Sequence, residues 1–157
     1  PTKSTAAVAR KKNIPVIGKF FDFTLSSSIK KKYGHFQLII LNNVIAHTPE
    51  FHSIMKGINN LLTIDGVVTF EFPHLVEMFK KKEFDTIYHE HYSYFSFFTF
   101  EKILNNNGLR VYNVKKLNTH GGSLRIYAVK KNSKYIYKTI KKIDEATGNL
   151  LLEHQDK

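Results

Sequence analysis

Between Tyr88 and Tyr94 the chain reads Tyr-His-Glu-His-Tyr-Ser-Tyr, which packs two imidazoles, one carboxylate and three phenols into seven residues. Imidazole changes charge near neutral pH, and a neighbouring carboxylate can orient it and tune its basicity, so acid–base chemistry is what this density offers first. In an extended backbone His89 and His91 point one way, with Tyr88, Glu90 and Tyr92 opposite. Two other readings stand beside it. A pair of imidazoles can bind zinc, although the chain has no cysteine and His-Glu-His is not the His-Glu-x-x-His of helical metalloproteases. The same side chains can also form an aromatic cluster with a purely structural role.

Two further constellations accompany this one. Asn42-Asn43-Val44-Ile45-Ala46-His47 follows directly on an apolar run of strand length. Ligands of open α/β sheets bind at the carboxyl ends of the strands, where this segment falls, and the alternative is a strand end capped by asparagines with His47 in a turn. Thr119-His120-Gly121-Gly122-Ser123 is the third. Paired glycines let the backbone approach a ligand closely and expose N–H groups that suit an anion, or they simply make a turn.

The elements that must carry these residues can be read from periodicity. Phe36 to Leu41 is nearly continuous in apolar residues, as expected of a strand covered on both faces. Thr48-Pro49-Glu50 predicts a helix start, and Phe51, Ile54, Met55, Ile58, Leu61 and Leu62 then form one apolar stripe. Asp65-Gly66 predicts a turn, and Val67 to Phe72 a second buried strand ended by Pro73. Strand, helix and strand with short links make the βαβ unit of a parallel sheet. Helices are expected over about residues 75–82 and 99–107, the latter stopped by Gly108. Leu109 to Val114 and Ser123 to Val129 read as strands whose short link makes them antiparallel neighbours. Upstream, residues 4–12 read as a helix capped by Thr2 or Ser4, Ile14 to Ile17 as a short strand, and Ser26 to Lys32 as a helix or loop. From Asn132 onward the pattern reads as polar and helical.

Composition bounds the function. The 157 residues suffice for one sizeable core, and no apolar run approaches the roughly 18 residues that span a bilayer. The absence of cysteine rules out disulfides within these residues and is compatible with a cytoplasmic location. The formal charge of +11 raises the question of nucleic acid, but only three of the 24 basic residues are Arg, and the lysines come in short runs spread along the chain. Base readout relies on Arg forks and a binding face on clustered charge, so the expectation is no nucleic-acid partner and no membrane partner.

Leu41 to His47, Asp65-Gly66 ahead of Val67 to Pro73, Glu83 to Ser96, and Thr119 to Arg125 match, in order and spacing, the nucleotide-sugar C-methyltransferases. The sequence resembles that family over about residues 1 to 130, with Tyr88-His89-Glu90-His91 and Thr119-His120-Gly121-Gly122-Ser123 the most specific blocks. The resemblance implies an α/β fold, a partial Rossmann-like class I methyltransferase sheet whose parallel strands end in an antiparallel pair. Residues 1–130 would be the C-terminal part of that domain, and residues 131–157 the start of a truncated C-terminal domain. It implies S-adenosylmethionine as cofactor, with the site incomplete here because no Gly-x-Gly turn is present and the ribose-binding acid falls before Pro1. Zinc is implied only for an N-terminal domain outside these residues. The implied reaction methylates the carbon (C3) beside the ketone of a nucleotide-linked 4-keto-6-deoxy sugar through an enolate, and residues 1–157 alone are expected to be an inactive fragment. By the same resemblance His91 is the base, Glu90 and Tyr88 lie beside the sugar, and His47 faces it. Asn42 and Asn43 border the methionine end of the cofactor, and His89, His120, Gly121, Gly122 and Ser123 contact the nucleotide-sugar substrate. No metal is required for the transfer itself.

Overall fold

The computed structural model describes residues 2–134, 139–143 and 150–154. Helix α1 (Lys3–Lys11) ends where Asn13 turns left-handed, at φ 58°. The strand expected over Ile14 to Ile17 does not form, and the segment runs as irregular backbone. Pro15, which has no N–H to give to a ladder, sits inside it. Helix α2 (Phe23–Tyr33) realises the helix alternative for Ser26 to Lys32, its first turn fixed by the Asp22 carboxylate, which accepts from the Leu25 N–H at 2.6 Å.

Strand β1 (Phe36–Asn42) leads through a 3-10 turn (Ile45–His47) into helix α3 (Phe51–Leu61). The helix starts later than Thr48-Pro49 suggested, because the Thr48 hydroxyl donates back to the Val44 carbonyl at 3.2 Å and serves the preceding turn instead. Strand β2 (Leu62–Pro73) is longer than its apolar core. Its register against β1 jumps from Phe36↔Leu62 to Leu38↔Val67, so Asp65-Gly66 forms a bulge within the strand. Helix α4 (Leu75–Lys81), a histidine-rich loop and helix α5 (Phe97–Asn106) follow, the last capped by the Ser96 hydroxyl on the Thr99 N–H. Strands β3 (Leu109–Leu117) and β4 (Ser123–Lys130) complete a sheet of order β1-β2-β4-β3. The first pair is parallel and the other two antiparallel, as the short link between the last strands required. The polar helix expected beyond Asn132 is replaced by two antiparallel strands, β5 (Thr139–Ile143) and β6 (Leu150–His154). The β-branched Thr139, Ile140 and Ile143 favour that outcome. Among the described residues no helix is long and apolar enough to cross a membrane.

One face of the sheet carries the core. Leu41, Val68, Phe70, Phe72, Leu124, Ile126 and Ala128 point into it, met by Ile54, Met55 and Ile58 of α3 and by Phe97, Phe100 and Leu104 of α5. The expectation that β1 is covered on both faces fails: Leu38 and Ile40, on the opposite face, lie open to solvent. Aromatic rings close the core beneath the strands' carboxyl ends. Phe100 meets Phe70, Phe72 and Phe95 at centroid distances of 5.0, 4.6 and 5.2 Å, in edge-on or tilted arrangements that suit ring quadrupoles. Phe100→Ala should therefore cost about 3–5 kcal/mol in urea unfolding, and a loss below about 1 kcal/mol would contradict the packing described.

Candidate active site

Strand β1 delivers the first site residues. At its carboxyl end Asn43 adopts a left-handed conformation (φ 52°) while its N–H donates to the Glu71 carbonyl of β2 at 2.8 Å. Asparagine is among the few side chains that tolerate this region. The chain then folds into the 3-10 turn, where Ile45 and Ala46 are buried and anchor His47 at the surface of the core. The loop after α4 passes over that turn. Tyr92 and Ser93 N–H groups donate to the Ala46 carbonyl at 2.9 and 3.3 Å, and His47 Nδ1 lies 3.0 Å from the Glu90 carbonyl oxygen. These bonds tie two segments more than forty residues apart and bring the His47 and His91 rings within 4.7 Å, tilted by 49°.

The loop itself is not extended. His91 N–H donates to the Tyr88 carbonyl at 3.0 Å, so Tyr88-His89-Glu90-His91 is a turn and the expected alternation of side chains is replaced by a closed cluster. Tyr88 and His91, which were expected on opposite faces, instead stack at 4.3 Å between centroids. His91 Nδ1 sits 2.9 Å from the Thr86 carbonyl oxygen, and its Nε2 sits 3.2 Å from the Tyr88 hydroxyl. A carbonyl accepts and never donates, so Nδ1 carries the proton and the lone pair is left on Nε2, facing the Tyr88 hydroxyl. The Tyr94 hydroxyl also donates to the Thr86 carbonyl, at 3.3 Å, and its ring meets that of His91 edge-on. His89 and the Glu90 side chain are exposed at the tip of the turn. Glu90 engages His47 through its backbone carbonyl and not through its carboxylate.

The third constellation closes the cluster from the β3–β4 side. His120 is left-handed (φ 50°), and its Nε2 lies 3.4 Å from Asn43 Nδ2, joining the end of β1 to the Gly-Gly turn. Gly121 carries φ 74° and lies against the Glu83 carboxylate, while its carbonyl accepts from Lys81 Nζ. Gly122 carries φ 137°, and a Cβ there would stand 3.0 Å from Glu77 Cβ. Ser123 is buried and its hydroxyl donates to the Thr119 carbonyl at 3.0 Å, so it holds the turn from within. Glu77 is hydrogen-bonded by Lys116 Nζ at 2.9 Å, which holds its carboxyl below the usual carboxylate range. That contribution to stability is present near neutral pH and is lost as acid protonates the group.

Residues that the sequence did not single out prove central to the geometry. Thr86 acts through its carbonyl, which no side-chain pattern reveals. Glu71 is buried and takes two hydrogen bonds from Arg125, from Nε at 2.9 Å and Nη2 at 2.6 Å, clamping β2 to β4 beside the site. The carboxylate raises the guanidinium's already high pKa further. An acid inside the otherwise uncharged run Val67-Val68-Thr69-Phe70-Glu71-Phe72 was the available signal. Among the described residues no three His, Asp or Glu side chains are grouped so as to hold a metal ion. Asn42, exposed at the same strand end, and Asn43 offer amide donors and acceptors of the kind that suit an amino acid's ammonium and carboxylate.

Comparison with known proteins places this geometry in context. Residues 6–114 match a methyltransferase domain family. Over 128 residues the chain is 35% identical to the C-methyltransferase NovU of Streptomyces niveus, an alignment covering 82% of this chain and 30% of NovU. The chain thus spans less than a third of that relative's length. Among solved structures it resembles magnesium protoporphyrin IX methyltransferase (ChlM) from Synechocystis PCC 6803 with bound SAH, at a TM-score of 0.44 and 20% identity over 62% of this chain and 46% of that one. It also resembles M1.HpyAVI, at a TM-score of 0.45 and 12% identity over 76% of this chain and 58% of that one.

The turn that carries His120 depends on a backbone conformation only glycine adopts without strain. Gly122→Ala adds a Cβ where the φ angle disfavours any side chain and Glu77 leaves little room, so it should cost about 1–3 kcal/mol in chemical unfolding. An unchanged unfolding midpoint would contradict the turn geometry.

Proposed function

The chain belongs to the methyltransferase domain family, and from that premise we propose that it carries the acceptor-side part of an S-adenosylmethionine-dependent C-methyltransferase acting on a nucleotide-linked 4-keto-6-deoxy sugar. The observation that carries the reading is the His91 ring, held by Nδ1 on the Thr86 carbonyl with its Nε2 lone pair beside the Tyr88 hydroxyl. The similarity to NovU, a C-methyltransferase by name, supports carbon as the methylated atom. The Tyr88 to His91 and Thr119 to Ser123 blocks, read as those of nucleotide-sugar enzymes, support the sugar and the position C3.

A C–H beside a ketone is a weak acid, and its removal needs a positioned base and a stabiliser for the oxygen that gains charge. His91 Nε2 takes the C3 proton, and the C–H electron pair becomes the enolate C=C as the ketone oxygen becomes negative. Before substrate arrives, the Tyr88 hydroxyl occupies the Nε2 lone pair at a loose 3.2 Å. With substrate in place, that hydroxyl turns to the enolate oxygen, and the imidazolium formed on His91 strengthens its bond to the Thr86 carbonyl. When bound, S-adenosylmethionine would supply an electrophilic methyl group next to that carbon. Asn42 and Asn43 would hold the amino-acid end of that cofactor. His47, with Nδ1 committed to the Glu90 carbonyl, offers its own Nε2 as a second acceptor 4.7 Å away, ring to ring. His120 and Gly121 face the sugar nucleotide, whose negative charge the basic surface attracts, while Gly122 and Ser123 shape their turn. Residues 1–130 form the methyltransferase part of this arrangement and residues 131–157 begin the next domain. Nucleic acid and membrane have no part in it.

Exchange at carbon tests the base directly. A chimera in which this chain replaces the matched stretch of NovU is incubated in deuterated water with the keto sugar and an unreactive cofactor analogue. Deuterium should enter the carbon beside the ketone, and His91→Asn should slow this by about 10²- to 10⁴-fold, whereas His89→Asn should not. Exchange by His91→Asn at the unsubstituted rate would refute the assignment and make His47 the base to test next.

A further inference from the structure

Methyl transfer to an enolate carbon needs one base, yet the site holds two imidazoles prepared in the same way. His47 and His91 are both half-buried, and each commits Nδ1 to a backbone carbonyl, that of Glu90 at 3.0 Å and that of Thr86 at 2.9 Å. In the neutral form each ring therefore keeps its lone pair on Nε2. The Tyr88 hydroxyl meets Nε2 of His91, whereas among the described residues no hydrogen bond reaches Nε2 of His47. The two rings touch, at 4.7 Å between centroids, so no carbon atom fits between them. Bases that invert a carbon must flank it from opposite faces. A pair in contact addresses one side of a substrate and serves neighbouring atoms instead.

We propose that the site has a second activity, the interconversion of the 4-keto sugar with its 3-keto isomer, in which His47 moves a proton between the two sugar oxygens. The proposal rests on the enolate chemistry assigned to His91 above. A hexose deoxygenated only at C6 keeps its hydroxyl at C3. The species formed when His91 Nε2 takes the C3 proton is therefore an enediolate, with a hydroxyl on C3 and the negative oxygen on C4. Nε2 of His47 accepts the C3 hydroxyl proton and passes it to the C4 oxygen. An electron pair on the C3 oxygen then closes to the new ketone, and the C3=C4 pair takes back the proton held on His91 as a C4–H bond. C3 is oxidised and C4 reduced, every proton is returned, and no outside oxidant or reductant enters. Enzymatic movement of a ketone along a sugar chain pairs a carbon base with a neutral imidazole at the oxygens in the same way. With no methyl donor in place, this return is the enediolate's productive way forward.

The NovU chimera is incubated without a methyl donor in deuterated water, with the keto sugar carrying carbon-13 at C4. NMR follows two signals, each after subtraction of the rate without protein. One is deuterium entering C3 of the remaining 4-keto sugar. The other is conversion of C4 from ketone to a deuterium-bearing carbinol as a new ketone appears at C3. Both should be seen. His47→Asn, whose amide can still donate to the Glu90 carbonyl, should lower the ratio of isomer to exchange by about 10²-fold or more, the usual worth of a positioned proton carrier. Exchange accompanied by fewer than about one isomer per 10⁴ events overturns this proposal and leaves the base assignment standing. A ratio that His47→Asn leaves unchanged also overturns it. Should that variant not fold, His47→Gln is read in the same way. Should the chimera itself not fold, the same signals are read on this chain mixed with NovU polypeptide lacking the matched stretch. Absence of both exchange and isomer overturns both readings, so a failed enolate and a failed relay are told apart.

Discussion

The carbonyl oxygens of Thr86 and Glu90 accept hydrogen bonds from Nδ1 of His91 and His47 at 2.9 and 3.0 Å, and on those two bonds the rest of the candidate site depends. A neutral imidazole has one donor and one acceptor. Committing the donor to a backbone carbonyl fixes the ring's orientation and leaves Nε2 as the basic atom in both residues. The carboxylate of Glu90, which the sequence suggests as the orienting group, is exposed, and its backbone does that work. Backbone is stiffer than a glutamate side chain, so each ring is positioned by the fold rather than by a rotamer.

Those carbonyls are in place because the sheet and its core put them there. The parallel pair β1–β2 ends at Asn42 and Glu71, and the Asn43 N–H bonded to Glu71 sends the chain into the turn that anchors His47. Phe95, Phe97 and Phe100 hold the far end of the histidine loop in the core, which fixes where Thr86 to Ser93 can run. The Glu71–Arg125 ion pair and the His120–Asn43 contact join the antiparallel strands to the same strand end. Four left-handed residues, Asn43, His120, Gly121 and Gly122, meet within this small region. Backbone held in sparsely populated conformations clusters where function over-determines it.

Much of this was legible in the sequence. The βαβ unit, the antiparallel β3–β4 pair and the three polar clusters follow from apolar periodicity, short links and residue density. The clusters do converge: Asn43 reaches His120, and His47 reaches His91. What the sequence did not reveal was decided by backbone. An alternating reading of residues 88–92 fails because a hydrogen bond from His91 N–H to the Tyr88 carbonyl closes a turn, and periodicity carries no information about such a bond. Thr48 looks like a helix cap but serves the turn before it. Pro15 defeats a short apolar strand, and the β-branched residues beyond Asn132 override a polar pattern. The apolar run of β1 does form the expected strand, but only one of its faces is covered, since Leu38 and Ile40 lie open to solvent.

The central claim is that backbone carbonyls set the tautomers, and it can be tested on this chain without substrate, cofactor or partner. Long-range nitrogen–proton correlation NMR of the imidazoles, at a pH where both rings are neutral, distinguishes the two nitrogens. The account predicts that His91 and His47 each carry the proton on Nδ1, and that the His91 assignment survives Tyr88→Phe because the Thr86 carbonyl fixes it. A neutral His91 ring protonated on Nε2 would contradict the account, since its lone pair would then face the Thr86 carbonyl and no basic atom would face the site.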